Sequence, residues 1–327
     1  MMKRIDSHHH LWDLNAVHYP WLMEFGKPRF FGDPTPIQRD YLLEEHRAIS
    51  QNHGVAASVH IQVGAEDGLA EARWVDQVAH ANPEWPMVQV AFCDLAASDR
   101  EGQLDQFQAL PSVVGIRQIV GRSPEEDAKN GTNALIASPE FKAGLQSLAS
   151  RGLSFDLQLI PELMEPMGKV LAQVPDLQVA LCHAGSPYDR SSDGIATWAA
   201  CLTHLSALPS VSCKLSGLGM FDHDWNAETV RPIADVVMEQ FGPNRVMFGS
   251  NFPVCSLSST FGSLKFVVSH ARTSKPLEGA GGSVGAVDFS VITCAVIEFT
   301  RKSLNIMRSF NWPKDASTRP RTWDESL

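Results

Sequence analysis

The chain has 327 residues, 44% of them hydrophobic and 20% charged, which suits one large α/β barrel or two ordinary domains of a globular protein. A formal net charge of −10, with no basic stripe interleaved with aromatics, weighs against nucleic acid and anionic membrane as partners and leaves a small molecule as the expected one. No run reaches the roughly 18 apolar residues that a membrane helix needs, and no signal-like apolar core follows the first residues, so the cytoplasm is the expected compartment.

The first element is a short strand over residues 3–7, followed by His8, His9 and His10. In an extended chain alternate side chains share a direction, so His8 and His10 point one way and His9 the other. At the C-terminal end of a parallel barrel strand such a pair could be ligands or acid/base groups; the alternative is rings packed under Trp12 as buried, hydrogen-bonded groups. Residues 15–38 then hold Tyr19, Trp21, Phe25, Phe30 and Phe31 with four prolines, a long aromatic loop expected to be a lid or pocket wall.

From Val55 onward short apolar runs alternate with segments of helical spacing. "VAASVHIQV" leads into "EDGLAEARWVDQVAHANPEW", "VQVAFCDL" into "SDREGQLDQFQAL", and "VVGIRQIV" precedes "SPEFKAGLQSLASRG". "LSFDLQLI", "LQVALCHAG" and "VSCKLSGLG" each precede a further helical segment, and "NRVMFGS" supplies the last of eight strand candidates. Near-continuous apolar strands alternating with helices favour a parallel sheet covered on both faces, and eight of them favour closure into a (β/α)8 barrel over an open doubly wound sheet. Helix starts are expected at Ser138-Pro139 and Asn226, and helix ends at Gly152 and Gly242.

The end of the chain departs from the rhythm. Residues 1–265 read as the barrel, whereas 266–327 contain a Gly-rich break and a β-branched run in place of a closing helix, with a disordered end expected after Trp312. This segment has either a fold of its own or a reading frame altered upstream. The six cysteines, Cys93, Cys182, Cys201, Cys213, Cys255 and Cys294, lack a C-x-x-C pair and indicate neither a disulfide framework nor a zinc knuckle.

The candidate chemistry sits in the strands or where they stop: His8 and His10, His60, Asp94, Arg117, Asp156 and Gln158, His183, Lys214 and Asn251. Catalytic groups on a (β/α)8 barrel come from the ends of several strands. His60 between Val59 and Ile61 also reads as a satisfied core residue, Arg117 and Asp156 as a buried ion pair, and Lys214 as a snorkelling side chain. Gly185 and Pro187 are expected to turn the chain so that His183 stands exposed at the barrel mouth.

Four phrases in order, "IDSHHHLWD", "LCHAGSP", "CKLSGL" and "NRVMFGSNFPV", resemble the amidohydrolase superfamily, and more narrowly its amidohydrolase-2 branch, over residues 3 to about 265. The tail lacks the branch's closing Asn-x-x-x-x-Tyr phrase. The resemblance implies a single distorted (β/α)8 barrel with its active site at the strand C-termini, and a hydrolase opening sugar, pyrone or dicarboxylate lactones. His8, His10 and His183 match the histidines of the first and sixth strands, and would hold one divalent metal, zinc or manganese, unless the enzyme is one of the branch's metal-independent members. Asn251 falls where many relatives carry an Asp general base, and a neutral amide cannot accept water's proton, so Asp156, Asp94 and His183 are the remaining candidates. The implied catalytic set is His8, His10, His183, Asn251 and Asp156, with His60, Arg117, Lys214 and Trp12 binding substrate. Two alternatives accompany it: a metal-dependent non-oxidative decarboxylase, against which Asn251 counts, and a barrel that binds small molecules without turning them over. The number of subunits is left open, a homo-oligomer included.

Overall fold

A computed structural model describes residues 4–263. The strands are β1 (Arg4–His9), β2 (Val55–Ile61), β3 (Met87–Ala91), β4 (Val113–Ile119), β5 (Ser154–Gln158), β6 (Val179–Leu181), β7 (Val211–Leu215) and β8 (Val246–Phe248). They pair in parallel in chain order, β1 to β8, as a (β/α)8 barrel requires. The ends of the sheet meet at the top, where the Asn251 backbone N–H donates to the His8 carbonyl (2.6 Å) and the His10 N–H to that of Phe252 (2.8 Å). No β1–β8 ladder forms among the described residues, so the barrel is distorted at this seam.

Among the described residues the helices are α1 (Pro20–Met23), α2 (Leu43–Ser50), α3 (Gly68–Ala81), α4 (Arg100–Gln108), α5 (Pro124–Asn130), α6 (Pro139–Arg151), α7 (Met164–Leu171), α8 (Ser192–Ser206) and α9 (Ala227–Phe241). Their ends follow the expected chemistry. Ser138 caps α6 by accepting from the Phe141 N–H with Pro139 in the first turn, and Gly152 ends it at φ 69°. Asn226 caps α9 with Thr229 closing a capping box, and Gly242 ends it. None of these helices is long and apolar enough to cross a membrane.

Two apolar regions flank the strands. Outward-facing residues such as Ile116, Phe155 and Leu157 pack against the helices, Phe141 of α6 meeting Phe155 at 6.0 Å between ring centres. Inside the barrel, Ile5, Ala57, Val59, Ile61, Val90, Val114, Ala180 and Met247 form a separate plug. Each large side chain so buried stabilises the fold by about 1.5–3 kcal/mol. The plug closes the bottom of the barrel, leaving the strand C-termini for polar groups. Cys93, Cys182, Cys201, Cys213 and Cys255 are free thiols. Cys294 and the segment 266–327, with its proposed separate fold or frame change, lie outside the described residues.

Candidate active site

β1 runs further than its expected end, through His9, because an extra residue is accommodated between Asp6 and His9, which face Ser58 and His60 of β2. Such a bulge leaves one residue unpaired and re-aims its neighbours. Asp6 Oδ1 fixes the bend by accepting the N–H groups of His8 (3.2 Å) and Ser250 (2.9 Å), tying β1 to the end of β8. His8 and His10 lie close, 5.2 Å between ring centres, while His9 turns away to stack on His46 of α2 at 4.0 Å. The alternation read from the sequence therefore holds for these three rings.

His183 follows β6 on a backbone that stays left-handed for four residues: His183 (φ 55°), Ala184 (φ 53°), Gly185 (φ 71°) and Ser186 (φ 53°). Left-handed backbone costs about 1–2 kcal/mol per residue with a Cβ, and strain of this kind clusters at functional sites. Ser216, just after β7, holds the ring and the strained backbone together: its Oγ lies 3.0 Å from His183 Nδ1 and 3.3 Å from the His183 N–H that donates to it. The ring centre of His183 stands 4.6 Å from that of His8. The turn does not leave the imidazole exposed, as the Gly185-Pro187 spacing suggested; at 3% exposure it is an enclosed pocket wall.

Two glycines of the quoted phrases make room for these rings. A Cβ on Gly217 (φ 62°) would stand 2.5 Å from His183 Nδ1, and one on Gly249 would stand 2.5 Å from the His8 Cβ. We expect Gly217→Ala to push the His183 ring off Ser216, lowering kcat/KM by at least about 10-fold through misplacement. Steady-state kinetics check this, with circular dichroism confirming an intact barrel.

Asn251, at φ 55°, brings its Oδ1 to 3.1 Å from His10 Nε2, while His10 Nδ1 faces the Ile61 carbonyl at 2.8 Å. Burial, reinforced by the Arg117 charge, pushes the His10 pKa down to about 3, so the ring is neutral and has one N–H for these two oxygens. Turning the Asn251 amide over resolves the conflict, its NH2 donating to Nε2 and its oxygen facing the Cys255 thiol at 3.3 Å. His10 Nε2 then accepts from the Asn251 amide, and both ring nitrogens of His10 are satisfied. His8 and His183 are also held neutral, their pKa values driven well below the ordinary range by burial first, then by His183 and Arg117 respectively.

Below the pocket lies a second polar layer. Lys214 Nζ and Asp156 Oδ2 form an ion pair with side chains 3% and 0% exposed, and the Cys182 thiol sits 3.7 Å from the same oxygen. The partner of Asp156 is thus Lys214. The guanidinium of Arg117 goes instead to the carbonyl of Gln62 and the side chain of Gln158. Neither Asp156 nor Lys214 lines the pocket.

A divalent ion fits this region on one observation: both ring nitrogens of His8 are buried without a hydrogen-bond partner. The tightest donor set is not the three histidines expected from the sequence. It joins His8 to Asp156 and Cys182, whose donor atoms all lie within 4.8 Å of one another, with His10 and His183 on the pocket side. An ion drawing on Asp156 would share that carboxylate with Lys214.

The pocket has a volume of about 320 Å³, enough for a small ligand. His10, His183, Asn251, Gln62, Gln158 and Arg117 form its base, and Trp21, Phe30 and Phe31 of the aromatic loop form its wall. His60 and Trp12, expected to bind substrate, are elsewhere. His60 faces out of the barrel, accepting from the Leu11 N–H and turning its Nε2 toward Glu71 of α3, and Trp12 is fully buried with its indole N–H on the Arg39 carbonyl. Asp94 accepts from the Ala96 N–H and the Gln118 amide and does not line the pocket. Arg29, Arg122 and Ser216 escaped the sequence reading, since each depends on loops far apart in the chain.

Behind the wall, burial pushes the Glu71 carboxyl up to about 8 and the His60 imidazole down to about 3. Because the folded pKa of Glu71 lies above the ordinary carboxylate value, its contribution to stability is complete in acid and is lost as pH rises toward about 8. Glu71→Gln removes that titration while keeping an oxygen for the Val63 N–H, which Glu71 accepts at 2.8 Å. Urea unfolding at acidic and alkaline pH is expected to show the variant gaining on the native protein as pH rises; parallel profiles would contradict this.

These features define a class: a parallel-barrel protein with a histidine cluster at its strand C-termini. A family model described as Amidohydrolase matches residues 5–273, and the chain belongs to the amidohydrolase family, in its amidohydrolase-2 branch. It is 36% identical over 261 residues to an uncharacterised protein of Sinorhizobium fredii, covering 79% of this chain and 87% of the relative. It is 29% identical over 269 residues to an L-fucono-1,5-lactonase of Burkholderia multivorans, covering 79% and 84%. A zinc-bound amidohydrolase crystal structure from Burkholderia multivorans superposes with a TM-score of 0.68 at 26% identity, covering 82% of this chain and 90% of that one.

Proposed function

We propose that the protein opens a small polar lactone by adding water at its carbonyl. The observation that carries this reading is the convergence of His10, His183, Asn251 and Arg117 on one pocket at the strand C-termini. The likeness to a lactonase supports it. A lactone is an activated ester and asks for three things: a base for water, a partner for the developing oxyanion, and a proton for the leaving ring oxygen.

His183 is the group suited to move the proton. Its Nδ1 is held by Ser216, which leaves Nε2 to take the proton of the attacking water and return it to the ring oxygen as the C–O bond breaks. Arg117, anchored by Gln62 and Gln158, balances the negative charge that develops on the carbonyl oxygen. Asn251 orients water or substrate through His10. A zinc or manganese ion held by His8 with Asp156 and Cys182 would supply Lewis-acid polarisation of the carbonyl and leave His183 Nε2 for the proton. Decarboxylation is less well supported, because the end of β8 offers an amide where a carboxylate is needed.

The test is a pH-indicator assay across sugar and dicarboxylate lactones, with and without added zinc or manganese. Acid release from at least one lactone is the expected result. Silence across the panel, in the presence of either metal, would overturn the reading in favour of a barrel that only binds.

A further inference from the structure

The pocket collects positive charge that the protein neutralises only in part. Arg29, Arg117 and Arg122 all line it, in a chain whose net charge is −10. Among the described residues neither Arg29 nor Arg117 has a carboxylate within ion-pair distance, and the buried Nε–H of each lacks a partner. Arg122 has Glu126 at 3.7 Å, a separation that leaves its guanidinium short of a bidentate bond. The other acid of the rim, Glu24, is engaged by Lys27. The three guanidiniums are near enough to repel: burial lowers the Arg122 pKa, Glu126 opposes that, and the charges of Arg117 and Arg29 press it down again.

Cations gathered against one another with too few counter-ions are unfavourable unless a ligand supplies the missing negative charge. The histidines at the pocket base are neutral, so the anion belongs at the arginine side. Arg29 is also fixed over the Trp21 ring at 5.7 Å, which orients its fork and leaves its N–H groups free for an oxygen ligand.

We infer that the substrate is an anionic lactone, carrying a carboxylate remote from the scissile ester that docks on Arg29 and Arg122 while the lactone carbonyl lies between Arg117 and His183. This rests on the lactonase reading and narrows it, since a neutral sugar lactone leaves the rim cations unanswered. Trp21, Phe30 and Phe31 provide an apolar wall for the ring between the two polar ends.

The experiment uses two matched five-membered sugar lactones that differ only in whether the terminal carbon is a hydroxymethyl or a carboxylate. Native protein is expected to favour the carboxylate member in kcat/KM by about 10-fold or more, consistent with one charge-assisted hydrogen bond or two. Arg29→Gln and Arg122→Gln each remove most of that preference through KM, slowing the carboxylate lactone far more than the neutral one. Equal kcat/KM for the two lactones, or variants that slow both alike, would overturn the inference while leaving the hydrolase reading intact. Should neither lactone be opened, thermal shift decides the anion site separately: the ring-opened dicarboxylate must stabilise native protein more than the ring-opened monocarboxylate, and Arg29→Gln must abolish the difference. No difference in the native protein would overturn the inference on its own.

Discussion

His183→Asn is expected to lower kcat/KM on the lactone identified by the panel by about 10²–10⁴-fold, the range for losing a positioned general base. The choice of Asn isolates chemistry from folding. Residue 183 sits at φ 55°, and Asn tolerates left-handed backbone better than most residues with a Cβ, so the turn after β6 keeps its conformation. An amide of that size still reaches Ser216 but has no nitrogen that can take a proton. Ser216→Ala should cost less, since it loosens the ring without removing it. Pre-steady-state or initial-rate measurements on both variants, paired with thermal melts, settle the comparison. A His183→Asn protein that turns over at the native rate would remove this side chain from the chemistry and leave His10 as the remaining imidazole lining the pocket.

The sequence carried much of this architecture because its signals are local. Eight apolar runs separated by helical spacing, Ser138 and Asn226 at helix starts, and Gly152 and Gly242 at helix ends are read within windows of a few residues, and each recurs in the structure. The direction of His8 and His10 was legible for the same reason. His60 shows where this fails. Period-two alternation sorts a strand's residues into two faces without saying which face is inside; the barrel's closure decides, and it places Val59 and Ile61 within the plug and His60 against Glu71. Asp156 of β5, Cys182 just after β6 and Lys214 of β7 meet only because the sheet curls round, so their mutual contact has no sequence signature. Arg29 and Arg122 lie in loops whose approach to the pocket depends on how residues 15–38 fold over the mouth, where Phe30 packs against Phe221 at 5.4 Å.

Lys214→Met is expected to be the most destabilising single change, by about 3–5 kcal/mol, the cost of leaving one partner of a buried ion pair alone. The reason lies in what remains. Asp156 is 0% exposed, its Oδ1 already lacks a partner, and its Oδ2 would be left with only the weak donor Cys182. Water cannot readily replace the ammonium, because the apolar plug lies on one side and the His8 ring on the other. Asp156→Asn in the Lys214→Met background removes the stranded charge, and the double variant is expected to recover most of the loss. Guanidinium unfolding of the native protein, both single variants and the double variant closes the cycle and measures the coupling directly. A Lys214→Met protein within about 1 kcal/mol of native stability would mean that the pair behaves as a solvated one, and the polar layer beneath the pocket would then be open to water from the mouth rather than sealed by the histidines above it.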